Sequence, residues 1–130
     1  MRVLVTYGSR MGGTEGLALM IGDVLSHQGC EVDVWPAASV RSLAPYDAVV
    51  IGGALYNRRW HREARRFVKA HRAELRSLPV WLFSSGPLDD SAACKEIVPV
   101  PQVAQLMRQI GARGHRTFGG RLAWIDTRPA

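Results

Sequence analysis

A chain of 130 residues that is 47% hydrophobic has material for one domain with a real core, residues 1–130, and none for a second. No run reaches the roughly 18 consecutive apolar residues of a membrane span, and the N-terminus enters a strand-like segment without a signal-peptide pattern, so the expected setting is soluble and cytoplasmic. A formal charge of +6 favours anionic partners without choosing among them.

Val3 to Tyr7 is a short β-branched run of the kind that forms a strand buried on both faces. From Thr14 the period changes. Leu17, Met20, Ile21, Val24 and Leu25 recur as one stripe of an amphipathic helix, which Gly29 should stop. Cys30 to Trp35 alternates Val32 and Val34 with Glu31 and Asp33, as an edge strand does. One or two helical turns over Ala37 to Leu43 precede a second buried run, Ala48 to Ile51, which ends at Gly52 and Gly53.

The spacing then predicts a helix over Trp60 to Leu75, with Trp60, Ala64, Phe67, Val68 and Leu75 on its apolar side. Val80 to Phe83 is a third buried run, followed by Ser84, Ser85 and Gly86. Gln102 to Ile110 predicts a helix closed by Gly111, and His115 to Phe118 a last, weak strand. Strands alternating with helices, joined by connections too long for hairpins, argue for a parallel, doubly wound α/β sheet. Ligands of such sheets bind at the carboxyl ends of the strands, here after Tyr7, Ile51 and Phe83.

Cys30 and Cys94 lack the spacing of a redox pair or zinc site and are expected to be free thiols. The four histidines, His27, His61, His71 and His115, are scattered and are expected at the surface, with no metal site. No Ser-His-Asp or Cys-His arrangement falls at plausible positions, and Asp89-Asp90 is more simply a solvated loop than a carboxylate dyad.

The segment after the first strand, Gly8 to Thr14, is rich in small and hydroxyl residues. It lacks the lysine that a Walker A loop needs, since Gly13 runs directly into Thr14. Its glycines, at 8, 12, 13 and 16, also miss the spacing of a dinucleotide fingerprint. What remains is a loop able to hold a single phosphate with backbone N–H groups, hydroxyls and a helix N-terminus.

Ser9-Arg10-Met11-Gly12-Gly13-Thr14 resembles the FMN-phosphate loop of the flavodoxin family, with Met11 in place of the middle hydroxyl residue. Together with Tyr46 to His71 it is similar to the branch that contains the flavodoxin-type, menaquinone-linked protoporphyrinogen oxidases, where an arginine follows the first hydroxyl residue of the loop, as Arg10 does here. The similarity runs well to about Ser85 and poorly beyond.

The resemblance implies a five-stranded sheet in the order 2-1-3-4-5 and FMN as cofactor. Ser9, Arg10, Met11, Gly12, Gly13 and Thr14 would surround the phosphate. Gly53, Ala54, Leu55, Tyr56 and Asn57 would form a second loop against the flavin ring, with Tyr56 placed to stack on it. Ser84, Ser85 and Gly86, with Pro87, would form a third loop on the other side.

Two features depart from that pattern. Arg58, Arg59, Arg62, Arg65, Arg66, Lys69, Arg72 and Arg76 crowd one helix and the loop before it, whereas electron-shuttling flavodoxins are generally acidic. The spacing of Arg58, Arg62, Arg65, Lys69, Arg72 and Arg76 puts one cationic stripe opposite the apolar one, expected to face anionic lipid, an acidic redox partner or a porphyrin-type carboxylate; nucleic acid is disfavoured, because no aromatic platform or nucleic-acid-binding motif accompanies it. Few residues follow Gly120, so the family's last helix is expected to be missing. A second copy in a homodimer, or the tail with Trp124 and Ile125, should then cover the sheet.

Two functional readings remain open at this stage. In one, the protein binds FMN and works in electron transfer or flavin-dependent oxidation, with a quinone or porphyrin-type substrate or a redox protein as partner and a place in the cytoplasm or at the membrane periphery. In the other, it is a non-enzymatic module of the same fold that binds through its basic helix.

Overall fold

The apolar runs that lack alternation become the centre of one parallel sheet, as burial on both faces requires. The computed structural model describes residues 1–8, 13–56, 59–85 and 101–118. In chain order the elements are β1 (Arg2–Gly8), α1 (Gly13–His27), β2 (Glu31–Pro36), a 3-10 turn (Ala37–Ser39), β3 (Ala48–Tyr56), β4 (Arg59–Trp60), α2 (Arg62–Ala70), α3 (Arg72–Arg76), β5 (Val80–Ser85), α4 (Pro101–Ile110) and β6 (Gly114–Phe118).

The sheet order is β2-β1-β3-β5-β6, with the two-residue β4 folded back on β3. Counting the parallel strands alone, this is the order 2-1-3-4-5. Strand β1 lies between β2 (Val3 opposite Val32) and β3 (Val3 opposite Ala48), and β3 pairs in turn with β5 (Ile51 opposite Leu82). Helices α1 and α4 end at Gly29 (φ 94°) and Gly111 (φ 65°), the left-handed turns that close helices.

Alternation along the strands sorts the core into two layers. Leu4, Val49, Ile51, Val80 and Leu82 face α2, α3 and α4, where they meet Phe67, Val68, Leu75, Val103, Leu106 and Ile110. Val3, Val5, Ala48 and Phe83 face α1. On that side Gly52 touches the Phe83 ring: a Cβ added to it would lie 2.0 Å from Phe83 Cζ. Gly52→Ala should therefore destabilise the protein by about 1–3 kcal/mol in urea unfolding, as overpacking of a tight core does.

Three sequence expectations change. Trp60 is not the first residue of a helix. It pairs with Leu55 in the β3–β4 hairpin, and the helix starts only at Arg62, capped by His61 Nδ1, which accepts from the Glu63 N–H. Apolar periodicity alone could not separate these states, because one buried aromatic beside a helix fits the stripe as well as one in it.

Helix α1 is rotated relative to the predicted stripe. Leu17, Ala18 and Gly22 are buried, while Met20 and Val24 are 44% and 56% exposed. Small residues let the helix lie close to the sheet, and that proximity outweighs the size of the apolar side chains. In the basic stripe, Arg65 is half-buried, its Nε–H donating to the Trp60 carbonyl at 3.0 Å, and Arg66 takes the exposed position instead. The expectation concerning residues 121–130, Trp124 and Ile125 included, lies outside the described residues.

Candidate functional site

Register brings the small residues at the strand ends into one row. Gly8 of β1 lies opposite Gly53 of β3, and Ala54 of β3 lies opposite Ser85 of β5. The three segments singled out in the sequence all leave from this carboxyl-end rim, where α1 also begins. Ser9, Arg10, Met11, Gly12, Asn57 and Gly86 lie outside the described residues.

Gly13 opens α1, and Thr14 follows, 2% exposed, with its Oγ1 2.6 Å from Ser85 Oγ. The first and third segments are thus joined by a hydroxyl pair beside a helix N-terminus. Gly53, Ala54, Leu55 and Tyr56 are the last residues of β3 rather than a loop. Tyr56 pairs with Arg59 of β4.

Trp60 anchors this hairpin from below. It is 1% exposed and lies flat against Gly53, where an added Cβ would fall 2.7 Å from Trp60 Cγ. Its indole N–H donates to Ser84 Oγ at 2.8 Å, and its backbone N–H donates to Gln102 Oε1 of α4 at 3.1 Å. Ser84 and Ser85 therefore do different work. Ser85 faces the α1 side with Thr14, and Ser84 faces the α2–α4 side under the hairpin.

Ser84 Oγ also lies 2.7 Å from His115 Nε2 of β6. An indole N–H can only donate, so Ser84 accepts from Trp60 and its own proton is free for the imidazole. The arrangement that uses each group puts the lone pair on Nε2 and the proton on Nδ1. His115 Nδ1 has no hydrogen-bond partner among the described residues. Burial pulls the His115 pKa down to about 4, so the ring is neutral at pH 7. The expectation of a surface histidine fails here: His115 is half-buried with its Nδ1 shut off from solvent, and neither its neighbours in sequence nor its spacing signalled this.

Tyr7, at the end of β1 on the α1 side, is a further polar group on this rim that the sequence reading did not single out. Burial first, and then the Glu15 carboxylate, raise its pKa above the ordinary value, so it stays a hydroxyl able to donate. A shallow groove of about 190 Å³, lined by Trp35, Ser39, Val40, Arg41, Ser42 and Tyr46, runs along the β2 edge.

The donor set suits a phosphate. The N–H groups of the first turn of α1 have no partners within the helix, the helix dipole favours an anion, and the Thr14 and Ser85 hydroxyls stand at its start. Glycines 52 and 53 serve the packing at the end of β3, Gly52 against the Phe83 ring and Gly53 against Trp60.

Comparison with known proteins agrees with this geometry. The family model described as "Flavodoxin domain" matches residues 4–125. The chain belongs to the flavodoxin-domain family. Membership implies FMN as the cofactor, and the residues present fit it.

Among curated relatives, this flavodoxin domain is 30% identical over 89 residues to the protoporphyrinogen IX dehydrogenase [quinone] of Escherichia coli K12, a match covering 65% of this chain and 48% of that protein. The chain thus spans about half the length of the curated relatives it matches. Among solved structures, an archaeal flavodoxin superposes with TM-score 0.73 at 19% identity, covering 94% of this chain and 87% of the other. The two-electron reduced Megasphaera elsdenii flavodoxin gives 0.71 at 19% identity, covering 98% and 90%. Rubredoxin oxygen:oxidoreductase of Desulfovibrio gigas gives 0.72 at 14% identity, covering 92% of this chain and 30% of that one. These structures share the fold of the flavodoxin domain.

Proposed function

We propose that this flavodoxin domain binds FMN at the carboxyl-end rim and works in electron transfer or flavin-dependent oxidation. The observation that carries the reading is the Thr14–Ser85 hydroxyl pair at the start of α1, which stands where an anion would meet both the helix N-terminus and the one hydroxyl proton the pair leaves free. Ser9, Arg10, Met11, Gly12 and Gly13 complete the phosphate side in this reading, with Arg10 supplying charge. Gly53, Ala54, Leu55, Tyr56, Asn57 and Gly86 flank the ring.

Bound FMN supplies the redox chemistry, and the chain contributes position and electrostatics. Thr14 and Ser85 hold the phosphate end, and the Trp60-anchored hairpin fixes the wall beside the ring. Tyr7, kept protonated, adds a donor to the rim. No acid or base in the chain is needed for electron transfer itself.

The sharper form of the reading is oxidation of a porphyrinogen-type substrate with a quinone as electron acceptor. The Escherichia coli protoporphyrinogen IX dehydrogenase supports it by its 30% identity. Quinone reduction dependent on added protoporphyrinogen and FMN tests it directly.

Titration of the purified protein with FMN, followed by gel filtration, tests the broader claim. Flavin absorbance should elute with the protein. Thr14→Ala should weaken binding about 5- to 150-fold, the equivalent of about 1–3 kcal/mol for a hydrogen bond to a charged group. A protein that remains colourless with FMN in excess removes the reading and leaves the non-enzymatic module.

A further inference from the structure

At His71 (φ −113°, ψ 19°) the chain leaves helical geometry between α2 and α3, though its N–H donates to the Phe67 carbonyl and its carbonyl accepts from the Leu75 N–H. Each helix is therefore taken on its own wheel. Arg62, Arg66 and Lys69 fall within an arc of about 60° on α2, and Arg72 and Arg76 within about 40° on α3, at about 100° per residue. All five are exposed, and among the described residues none has an ion pair.

The two acids of these helices, Glu63 and Glu74, lie outside those arcs. Glu74 is turned to His71, its Oε1 3.3 Å from Nδ1, and the half-buried Glu63 lies in the first turn of α2, toward the core side of the wheel. The core residues Ala64, Phe67, Val68 and Leu75 occupy the opposite side. The cationic face also carries Ala73, exposed and small, and no large apolar side chain. Along the axis the five charges span about 20 Å.

We propose that this outer face of α2 and α3 is a docking surface for an anionic lipid bilayer. Protein interfaces concentrate their affinity in buried aromatic or aliphatic anchors, and this face has none to offer. A line of arginines without acids, by contrast, matches a plane of phosphates, which guanidinium groups bind in a bidentate way and which needs no shape complementarity. The neighbouring aromatics Trp60 and Phe67 are committed to the core. Arg62 follows Trp60 by two residues, so the docking face starts at the rim of the candidate site and brings that rim to the lipid surface.

The inference does not depend on flavin binding. The 130-residue protein, with and without FMN, is sedimented with vesicles of phosphatidylcholine containing one quarter phosphatidylglycerol, and with vesicles of phosphatidylcholine alone. Binding should appear only with the anionic vesicles at about 0.1 M salt and disappear at about 1 M, where charges are screened beyond about 3 Å. Each cation near such a surface contributes about fivefold, so Arg66→Gln/Lys69→Gln should lower the partition about 25-fold. Arg41→Gln/Arg108→Gln removes the same net charge from exposed positions elsewhere and should leave it nearly unchanged.

Equal losses in the two double variants would overturn the proposal, since net charge alone would then suffice. So would binding to neutral vesicles, or equally tight binding of duplex DNA or polyglutamate through the same two residues. Thermal melts at the wild-type midpoint verify that the exposed substitutions leave the fold intact. Because protein is measured in the pellet, failure to bind FMN is read separately, from absorbance.

Discussion

Trp60→Ala is expected to destabilise the fold by about 3–5 kcal/mol, the largest effect of any single substitution considered for this chain. The side chain is 1% exposed and fills the space over Gly53 between β3 and α4. Removing it leaves a cavity among residues that are themselves tied down. Three further bonds fix the residue: indole to Ser84, backbone N–H to Gln102, and backbone carbonyl from Arg65. Trp60→Phe keeps most of the packing and deletes the indole donor, and should cost about 1–3 kcal/mol for leaving the buried Ser84 short of a partner. Urea unfolding monitored by circular dichroism measures both. If Trp60→Ala loses less than about 1 kcal/mol, the hairpin is not anchored from below and its rigidity has another source. Where enough stability remains, FMN affinity should fall further in Trp60→Ala than in Trp60→Phe if the proposed ring-side wall rests on the packed side chain.

The parallel sheet was legible because its central strands are buried on both faces, which leaves unbroken runs such as Val3–Tyr7, Ala48–Ile51 and Val80–Phe83. Even the edge strand followed from Val32 and Val34 alternating with Glu31 and Asp33. The hairpin did not, since β4 has only two residues and its one apolar member, Trp60, falls in phase with the helix behind it. The orientation of α1 was hidden for a different reason. Hydrophobicity counts Met20 and Val24 toward the core, but closeness of approach depends on Ala18 and Gly22, which a hydrophobic stripe undervalues.

At the candidate site the sequence could place three loops at one end of the sheet, because topology alone brings the carboxyl ends of parallel strands together. It could not divide the two serines. Ser84 and Ser85 are alike in composition and adjacent in the chain, yet the pleat sends one toward Trp60 and His115 and the other toward Thr14. Nor could it find His115, whose partner Ser84 lies 31 residues away on the neighbouring strand. A lone histidine in a short, weak strand carries no local mark of burial.

Burial of His115 makes stability depend on pH in a definite window. In the folded protein its pKa is about 4, against an ordinary value of 6.5 that the unfolded chain recovers. Below pH 6.5 the unfolded state takes up a proton that the folded state refuses, so stability falls as the pH drops, and the loss is complete near pH 4. The total is about 3 kcal/mol, from about 1.4 kcal/mol for each unit of difference. Urea unfolding at intervals from pH 7.5 to pH 4 should show the wild type losing that much more than His115→Gln, which keeps an acceptor for Ser84 and does not titrate. Parallel curves for the two proteins would mean that His115 is not neutral and buried in solution. Protonation would also turn Nε2 from acceptor into donor, so Ser84 would face two donors, the indole and the imidazolium, and its own proton would lose its acceptor. The cost of His115→Gln and that of Trp60→Phe should for this reason be non-additive, by about 0.5 kcal/mol or more, since both act on one hydroxyl.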